Sequence, residues 1–221
     1  MTKIGFLIHK GGVGKTTLAV HLLWWMKEKK IKALGIDFDN QSGLIRLFSG
    51  YEWEQGDEPI YRRGSVEVIL GAKDNIIYDK SKYDFLIVDG RPEIDVSITL
   101  MKQIDFDVIY CPIKGRFSIE GTADIKKVRD AVSPKTKIIA IGNMIDKGWY
   151  LKKEFYKALE EMNVPVFKDQ IPYTTKIAIS EGDGIPIWKV GRYRGTQTRA
   201  VEVIKAFCRF NVEKKWEKVE C

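Results

Sequence analysis

The chain has 221 residues, of which 44% are apolar and 30% are charged, a balance typical of a folded globular protein. This composition excludes a disordered tail and a fibrous repeat, and the length favours a single domain over residues 1–221. The net charge of +7 is compatible with a polyanionic partner.

The three cysteines are far apart and form neither a CxxC pair nor a cluster with histidine, which argues against a zinc or iron–sulfur centre. The longest strictly apolar run, Leu22–Met26, is much shorter than the about 20 residues that a membrane-spanning helix needs. We therefore expect a cytoplasmic protein with reduced thiols and no transmembrane segment.

Short apolar runs alternate with longer amphipathic stretches from residue 3 to about residue 172. This alternation predicts a doubly wound α/β fold, with a mostly parallel sheet flanked by helices. The predicted strands are Lys3–His9, Ala33–Asp37, Phe85–Asp89, Val108–Pro112, Lys137–Gly142 and Val164–Ile171. The predicted helices are Lys15–Lys30, Val66–Leu70, a piece near Ile98–Gln103, Ile119–Val132, Leu151–Met162 and about Thr198–Lys218. Ser49–Ser65 is predicted to be an irregular surface excursion.

A glycine-rich loop, HKGGVGKTT over residues 9–17, lies between the first predicted strand and the first helix. Glycines allow backbone N–H groups to surround phosphate oxygens, and the helix N-terminus adds partial positive charge. Lys15 is placed to reach the β and γ phosphates, and the Thr16 hydroxyl to ligate Mg²⁺. The predicted nucleotide-binding residues of the loop are Lys10, Gly11, Gly12, Val13, Gly14, Lys15, Thr16 and Thr17.

Carboxylates follow two of the predicted strands. Asp37 and Asp39 end the second strand, and Asp89 ends the apolar strand Phe85–Asp89 in the manner of a Walker B motif. Open α/β sheets place ligands at the carboxyl ends of their strands, so these groups are expected near the phosphate loop. Asp89 is predicted to hold Mg²⁺ directly or through water.

The loop KGGVGKTT resembles the deviant Walker A motif of the ParA/MinD superfamily, and DFDNQ over residues 37–41 resembles its DxDPQ motif. The resemblance covers roughly residues 1–205 and is closest to small ParA/Soj-type partition ATPases. It implies a P-loop NTPase that uses ATP/ADP and Mg²⁺ and closes as a homodimer on two nucleotides. It further implies that Lys10 reaches the partner's ATP, that Asp39 orients the attacking water and that Asp37 assists near the metal. The implied catalytic residues are Lys10, Lys15 and Asp39, and the metal residues are Thr16, Asp37 and Asp89.

The chain departs from the family's pattern at two places beside these motifs. Asn40 stands where ParA proteins usually have proline, and Gly90-Arg91-Pro92 replaces the frequent Thr-Pro-Pro. Arg91 has no assigned role: contact with phosphate, contact with a partner subunit and simple solvation all stay open.

A purine pocket is expected from weaker resemblances further along the chain. Asn143 resembles the asparagine that contacts adenine in related proteins, and Pro172 lies in QIPY, which resembles an element beside the base. The stretch ISEGDG over residues 179–184 resembles another family segment. The alternative is an ordinary turn between a strand and a helix.

The resemblance leads to three functional hypotheses. The first is a partition ATPase that binds double-stranded DNA non-specifically in its ATP state, is stimulated by a centromere-binding partner protein and is nucleoid-associated. The alternatives are a MinD-like membrane-associated positioning ATPase and a small-molecule ligase of the dethiobiotin synthetase type. The first is favoured because the helical region at about 186–221 contains nine basic and four acidic residues. The predicted DNA contacts are Lys189, Arg192, Arg194 and Arg199.

Overall fold

The computed structural model describes residues 1–71, 78–145, 153–192 and 194–219. Its strands are β1 Thr2–Phe6, β2 Ala33–Asp37, β3 Ile60–Arg63, β4 Val66–Leu70, β5 Phe85–Asp89, β6 Val108–Ile113 and β7 Lys137–Gly142. Within the described residues these strands form one sheet in the order β3-β4-β2-β5-β1-β6-β7. Every neighbouring pair is parallel except β3 and β4, so the predicted mostly parallel α/β fold is confirmed.

Helices cover both faces of this sheet. They are α1 Lys15–Glu28, α2 Gly43–Ser49, α3 Ile94–Gln103, α4 Arg116–Val132, α5 Lys153–Glu161, α6 Thr175–Gly182 and α7 Thr196–Val212. Short 3₁₀ turns occur at Lys80–Lys82, Ile187–Lys189 and Lys215–Lys218. In the ranges that the structure describes, no helix combines the length and apolar character needed to cross a bilayer.

Two apolar cores lie on opposite sides of the sheet. Helices α1, α2 and α7 pack on one face, and α3, α4 and α5 pack on the other. Every residue of β2 and β5 is buried, as expected for central strands covered on both faces. Fully buried anchors of the first core are Leu23, Phe48 and Phe207, and those of the second are Ile125 and Leu159. Each side chain of this size contributes about 1.5–3 kcal/mol by burial.

The sheet register brings the predicted carboxylates to one edge. Asp37 at the end of β2 lies beside Asp89 at the end of β5, and Asp89 in turn lies beside Phe6 at the end of β1. The phosphate loop starts directly after β1, so it leaves the sheet at the same level as both carboxylates. The fold therefore places the motifs together as the strand-end argument predicted.

The prediction of a helix at Val66–Leu70 is wrong, because this segment is β4. It pairs with β2 along its whole length, from Ala33 opposite Val66 to Asp37 opposite Leu70. Val66 and Val68 are buried while Glu67 between them is half-buried, which is the period-two pattern of a strand. The Ser49–Ser65 excursion likewise contains a strand, β3, which pairs antiparallel with β4.

The prediction of a strand at Val164–Ile171 is also wrong. Single bridges join Val166 to Ala140 and Pro172 to Ile145, but no continuous ladder forms. Pro165 lacks an N–H group, which limits pairing with β7. Helices α2 and α6 were not predicted, and α7 ends at Val212, just before the left-handed Lys214, instead of continuing to Lys218. Residues 151 and 152 of the predicted Leu151–Met162 helix lie outside the described residues.

Candidate nucleotide site

The phosphate loop has the backbone of an anion-binding turn. Gly12 and Gly14 have φ angles of 68° and 90°, values that residues with a Cβ rarely adopt. A Cβ on Gly14 would lie 2.1 Å from Nδ2 of Asn143, whereas a Cβ on Gly11 or Gly12 would meet no atom within 4 Å. The loop is thus tightly packed from behind and open at its tip, which suits the approach of a phosphate.

Helix α1 begins immediately after this loop, at Lys15. No side chain of the described residues caps it, and its first turn contains no acidic residue. The free N–H groups and the positive end of the helix dipole therefore face the loop without an internal partner. This end of α1 is suited to an anionic ligand.

The Lys15 side chain is buried within the loop. Its Nζ donates a hydrogen bond of 3.2 Å to the carbonyl oxygen of Lys10. Burial lowers the pKa of Lys15, while the nearby carboxylates of Asp89, Asp39 and Glu93 raise it. The structure thus brings this ammonium group to the carboxylates, as the motif spacing predicted.

Asp89 has a buried carboxylate that is well placed to bind a ligand. Both of its carboxylate oxygens are buried, and neither has a hydrogen-bond partner among the described residues. Burial, with the neighbouring Asp37, raises the pKa of Asp89 to about 8. The Thr16 hydroxyl and Lys15 oppose this rise in pKa. Thr16 lies close to Asp89, but its hydroxyl does not have the geometry of a hydrogen bond to either carboxylate oxygen. A buried carboxylate with no donor, beside a threonine hydroxyl, is a fitting oxygen donor set for Mg²⁺.

Asp37 lies next to Asp89, but its oxygens already accept three backbone hydrogen bonds. The donors are the N–H groups of Asp39 at 2.9 Å, Leu44 at 2.8 Å and Ile45 at 3.1 Å. Burial raises the pKa of Asp37 to about 6, and these three donors limit the rise. The carboxylate therefore fixes the turn between β2 and α2.

Asp39 projects from this turn and is half-buried. Its carboxylate accepts a hydrogen bond of 3.0 Å from the N–H of Gln41, and its carbonyl accepts one of 2.9 Å from Ser42. The Asp39 carboxylate contributes to the field at Lys15. It thus faces the site from the β2 side while Asp89 faces it from β5.

Sequence reasoning missed the contacts of Arg91. Its Nε donates to the carbonyl of Phe38 and its Nη2 donates to Oδ1 of Asn40. The side chain is half-buried and joins the turn after β5 to the turn after β2. The signal that the sequence offered for these contacts was the position of Arg91, two residues after Asp89.

Lys10 lies at the surface, in contrast to Lys15. Its Nζ is 5.2 Å from the ring centroid of Phe117, a side chain that is 66% exposed. Thr17, also assigned to the loop, donates its hydroxyl to the carboxylate of Glu181 on α6. The Thr17 side chain thus already has a protein partner.

The two residues predicted to contact adenine, Asn143 and Pro172, differ in their burial. Asn143 is fully buried, and its Nδ2 donates a 2.7 Å hydrogen bond to the carbonyl of Val13. Asn143 therefore supports the phosphate loop from behind. Pro172 is half-buried, and beside it opens a cavity of about 620 Å³ that is lined in part by Tyr173 and Arg194.

Two of the predicted DNA contacts are already paired with acidic residues. Lys189 forms a 3.0 Å ion pair with Glu28, and Arg199 forms a 2.7 Å ion pair with Asp169. Arg192 and Arg194 are exposed and have no ion pair with any residue that the structure describes. The predicted basic surface is therefore partly neutralised.

Sequence reasoning also missed a group of cations near Lys189. Arg63 and Lys189 are close enough to Lys27 to lower its pKa, in addition to the lowering by burial. A Cβ on Gly64 would contact the Lys27 stem at 3.7 Å. These residues lie on three separate elements, so only the fold brings them together.

Comparisons with known proteins agree with this geometry. A family model described as the CobQ/CobB/MinD/ParA nucleotide binding domain matches residues 4–187. The chromosome-partitioning ATPase Soj of Treponema pallidum is 25% identical over 82% of this chain and 87% of its own length. The structure of apo McdA from Cyanothece has a TM-score of 0.67 at 18% identity, over 93% of this chain and 98% of that chain.

A third similar protein is a synthase of the same fold. Cobyrinic acid a,c-diamide synthase from Mycobacterium smegmatis, solved with ADP and magnesium, has a TM-score of 0.62 at 16% identity. The match covers 95% of this chain and 94% of that chain. With the family model spanning most of the chain, the resemblance drawn from the loop and strand-end motifs is confirmed. The chain belongs to the CobQ/CobB/MinD/ParA family of nucleotide-binding domains.

Proposed function

We propose that the chain is a Mg²⁺-dependent ATPase switch of ParA type. It closes as a homodimer on ATP, binds double-stranded DNA without sequence preference and releases it after hydrolysis that a partner protein stimulates. The observation that carries the proposal is the buried, unpartnered carboxylate of Asp89 beside Lys15 and Thr16. This arrangement suits both a cation and an anion, and Mg²⁺ bound to a nucleotide would supply them.

Different residues of the site bind the phosphates and the metal ion of Mg²⁺-ATP. Backbone N–H groups of Gly11–Thr17 and the Lys15 ammonium bind the phosphates, and Asp89 and Thr16 would hold Mg²⁺ directly or through water. Bound Mg²⁺ supplies charge neutralisation for the transferred phosphoryl group. Asp37 supports the metal site indirectly, because its oxygens hold the start of α2.

Hydrolysis is assigned to Asp39 and Lys10. Asp39 orients the attacking water from the β2 side of the site, next to the charge of Lys15. Lys10 lies at the surface over an exposed aromatic ring, so it is free to reach a second copy of the chain. In the closed dimer it would neutralise charge on the partner's ATP.

The adenine base is proposed to bind beside Pro172. The cavity next to Pro172 is open to the surface and has a volume of about 620 Å³. Asn143 contributes by holding the loop at Val13, since its side chain is fully buried.

DNA binding is proposed to depend mainly on Arg192 and Arg194. Both are exposed and carry no ion pair among the residues described, so a DNA phosphate would not have to displace an acidic partner. Lys189 and Arg199 contribute less, because Glu28 and Asp169 already neutralise them. The chromosome-partitioning role of Soj supports this function and a nucleoid-associated, cytoplasmic location.

The alternative of a membrane-associated switch has less support in the residues that the structure describes. Its requirement is a terminal helix with a free apolar face, but Val201, Ile204 and Phe207 of α7 are buried in the core. Trp216 in the following 3₁₀ turn is also buried. A small-molecule ligase stays the second candidate, because the family includes CobQ and CobB.

The direct test is binding to random-sequence duplex DNA with ATP or ADP, at about 50 and 200 mM salt. We expect salt-sensitive binding with ATP alone, and its loss in an Arg192→Ala/Arg194→Ala variant. Lys127→Ala, which removes an exposed lysine on α4, is the matched control and should bind like the wild type. Equal binding with ATP and ADP, or none with either, would contradict the DNA part and direct attention to ligase substrates.

A further inference from the structure

Two departures from the family's pattern meet in the structure. Arg91 follows the turn after β5, and Asn40 lies in the turn after β2. The Arg91 guanidinium donates to Oδ1 of Asn40 and to the carbonyl of Phe38. These two acceptors flank Asp39 in the chain, so one side chain holds the backbone on both sides of that carboxylate.

The turn held by Arg91 is fixed to the sheet at its base, whereas the hydrogen bonds at its tip stay within the turn, apart from those that Arg91 donates. Phe38 is buried, its N–H donates to the Asp89 carbonyl at 3.0 Å, and its ring lies so close to Gly71 that a Cβ there would be 2.5 Å away. Asp37 accepts three backbone N–H groups below the tip. Asn40 is exposed, and its recorded contact from outside the turn is the one with Arg91.

The chemistry of Arg91 suits this restraint. Proline at position 40 would fix its own φ near −65°, whereas asparagine leaves the backbone free to rotate. A guanidinium is planar and presents several N–H donors in fixed directions, so it can hold two acceptors at once. Hydrogen bonds from a charged donor are stronger than those between neutral groups.

We propose that Arg91 is a positioning residue, which holds Phe38 and Asn40 so that the Asp39 carboxylate stays oriented for hydrolysis. The inference rests on the proposed ATPase function and deepens it. Arg91 touches neither phosphate nor water in this role and acts through the backbone of the turn. It thereby couples the strand end that carries Asp89 to the turn that carries Asp39.

The test compares Arg91→Ala with Asn40→Ala and with the double variant. We expect Arg91→Ala to lower kcat by about 10- to 100-fold, the cost of a misplaced catalytic group, with little change in ATP affinity or KM. Asn40→Ala should have a smaller effect, since the bond to Phe38 remains. Arg91→Ala should then cost less in the Asn40→Ala background than in the wild type. Arg91→Lys should fall in between, because an ammonium cannot reproduce the planar fork.

A second readout needs no nucleotide. In nucleotide-free Arg91→Ala, amide hydrogen exchange of residues 38–42 should become about tenfold faster. The variant loses the Arg91 hydrogen bonds, and the net loss of stability in the turn is about that of one hydrogen bond. Arg62→Ala is the matched control, since it removes an exposed arginine that pairs with Glu67 far along the sheet edge. It should change neither exchange in the turn nor kcat.

Each contrary outcome has a distinct meaning. Weaker ATP binding with normal kcat in Arg91→Ala would show a phosphate contact, and unchanged kcat and exchange would show a solvated side chain; both overturn the proposal. If the wild type itself hydrolyses no ATP, the ATPase function fails and the positioning role fails with it. If Arg91→Ala does not fold, Asn40→Ala and Arg91→Lys decide by the same two measurements.

Discussion

Lys15 shows at the scale of one residue why this site calls for a ligand. Its ammonium is buried, and the one hydrogen bond recorded for it is to the carbonyl of Lys10. Burial lowers its pKa, whereas the carboxylates of Asp89 and Asp39 favour its charge. Burying a cation is unfavourable without an anion at contact distance, so a bound phosphate would complete its environment.

Replacing Lys15 with alanine should abolish nucleotide binding. The variant loses the cation that contacts the β and γ phosphates, and we expect ATP affinity to fall by at least 100-fold, in line with loss of a charged hydrogen bond in a buried site. Fluorescent ATP titration measures this effect. Lys127→Ala serves as the control for loss of a lysine, and normal ATP affinity in Lys15→Ala would exclude the assigned loop function.

The residues of the site were largely predictable, but their mutual contacts were not. Asp39, Asp89 and Lys15 come together because parallel strands end at one edge, an argument that needs only the strand pattern. The Arg91 contacts and the support of Val13 by Asn143 depend on how far side chains reach across neighbouring strands. No spacing in the sequence encodes that reach.

At the scale of elements, His21 joins α1 to α6 and to the segment after it. Its Nδ1 donates to the Thr17 carbonyl at 2.7 Å, and its Nε2 accepts from the Ile187 N–H at 3.2 Å and lies 3.3 Å from the Ser180 hydroxyl. This pattern requires a neutral ring. Burial lowers the pKa of His21 to about 4, although the Thr17 carbonyl opposes the shift.

His21 should make folding sensitive to acid. Because its folded-state pKa is depressed, its contribution is complete above the unfolded value near 6.5 and is lost as the pH falls toward 4. From pH 7 to pH 5 we expect a loss of about 2 kcal/mol from this group. Urea unfolding of wild type and His21→Gln at both values isolates it, since the opposing effects of Asp37 and Asp89 are common to both. Equal pH dependence in the two proteins would contradict a neutral buried ring.

Helix α7 is attached to the sheet through Phe207. Its ring centroid lies 4.9 Å from that of Tyr110, 5.8 Å from that of Phe167 and 6.2 Å from that of Phe6. Phe207→Ala should therefore lower the free energy of unfolding by about 3–5 kcal/mol. Glu202→Ala, on the exposed side of the same helix, should change it by less than about 0.5 kcal/mol. A small effect in Phe207→Ala, measured by urea unfolding, would mean that α7 is only loosely packed.

The sequence predicted long, strongly patterned elements well and short ones poorly. Helices α1 and α4 and strands β2, β5 and β7 lie at or near the positions that their patterns predict, because each is a long or strongly apolar segment. The short run at Val66–Leu70 is equally compatible with a helix turn and a strand, and pairing with β2 decides in favour of the strand. Helix α2 has seven residues, and Asp37, which binds its first turn, stabilises it more than its own pattern does.

In the molecule as a whole, the residues of the proposed nucleotide site lie together, whereas the proposed DNA-binding surface is partly neutralised by acidic residues. The nucleotide site has its phosphate loop, buried lysine and unpartnered carboxylate within one edge of the sheet. The basic surface is divided, since Lys189 and Arg199 are held by acidic residues on different elements. We therefore expect nucleotide binding to precede DNA binding, with dimerisation adding the basic residues of two copies.

The proposed ATP-dependent dimerisation is best tested by the mass of the protein in solution with ATP and with ADP, at equal Mg²⁺. We expect a dimer with ATP and a monomer with ADP, and a persistent ATP dimer in Asp39→Ala, which binds nucleotide but cannot orient water. A monomer under all conditions, or the same mass with both nucleotides, would contradict the ATP-dependent switch.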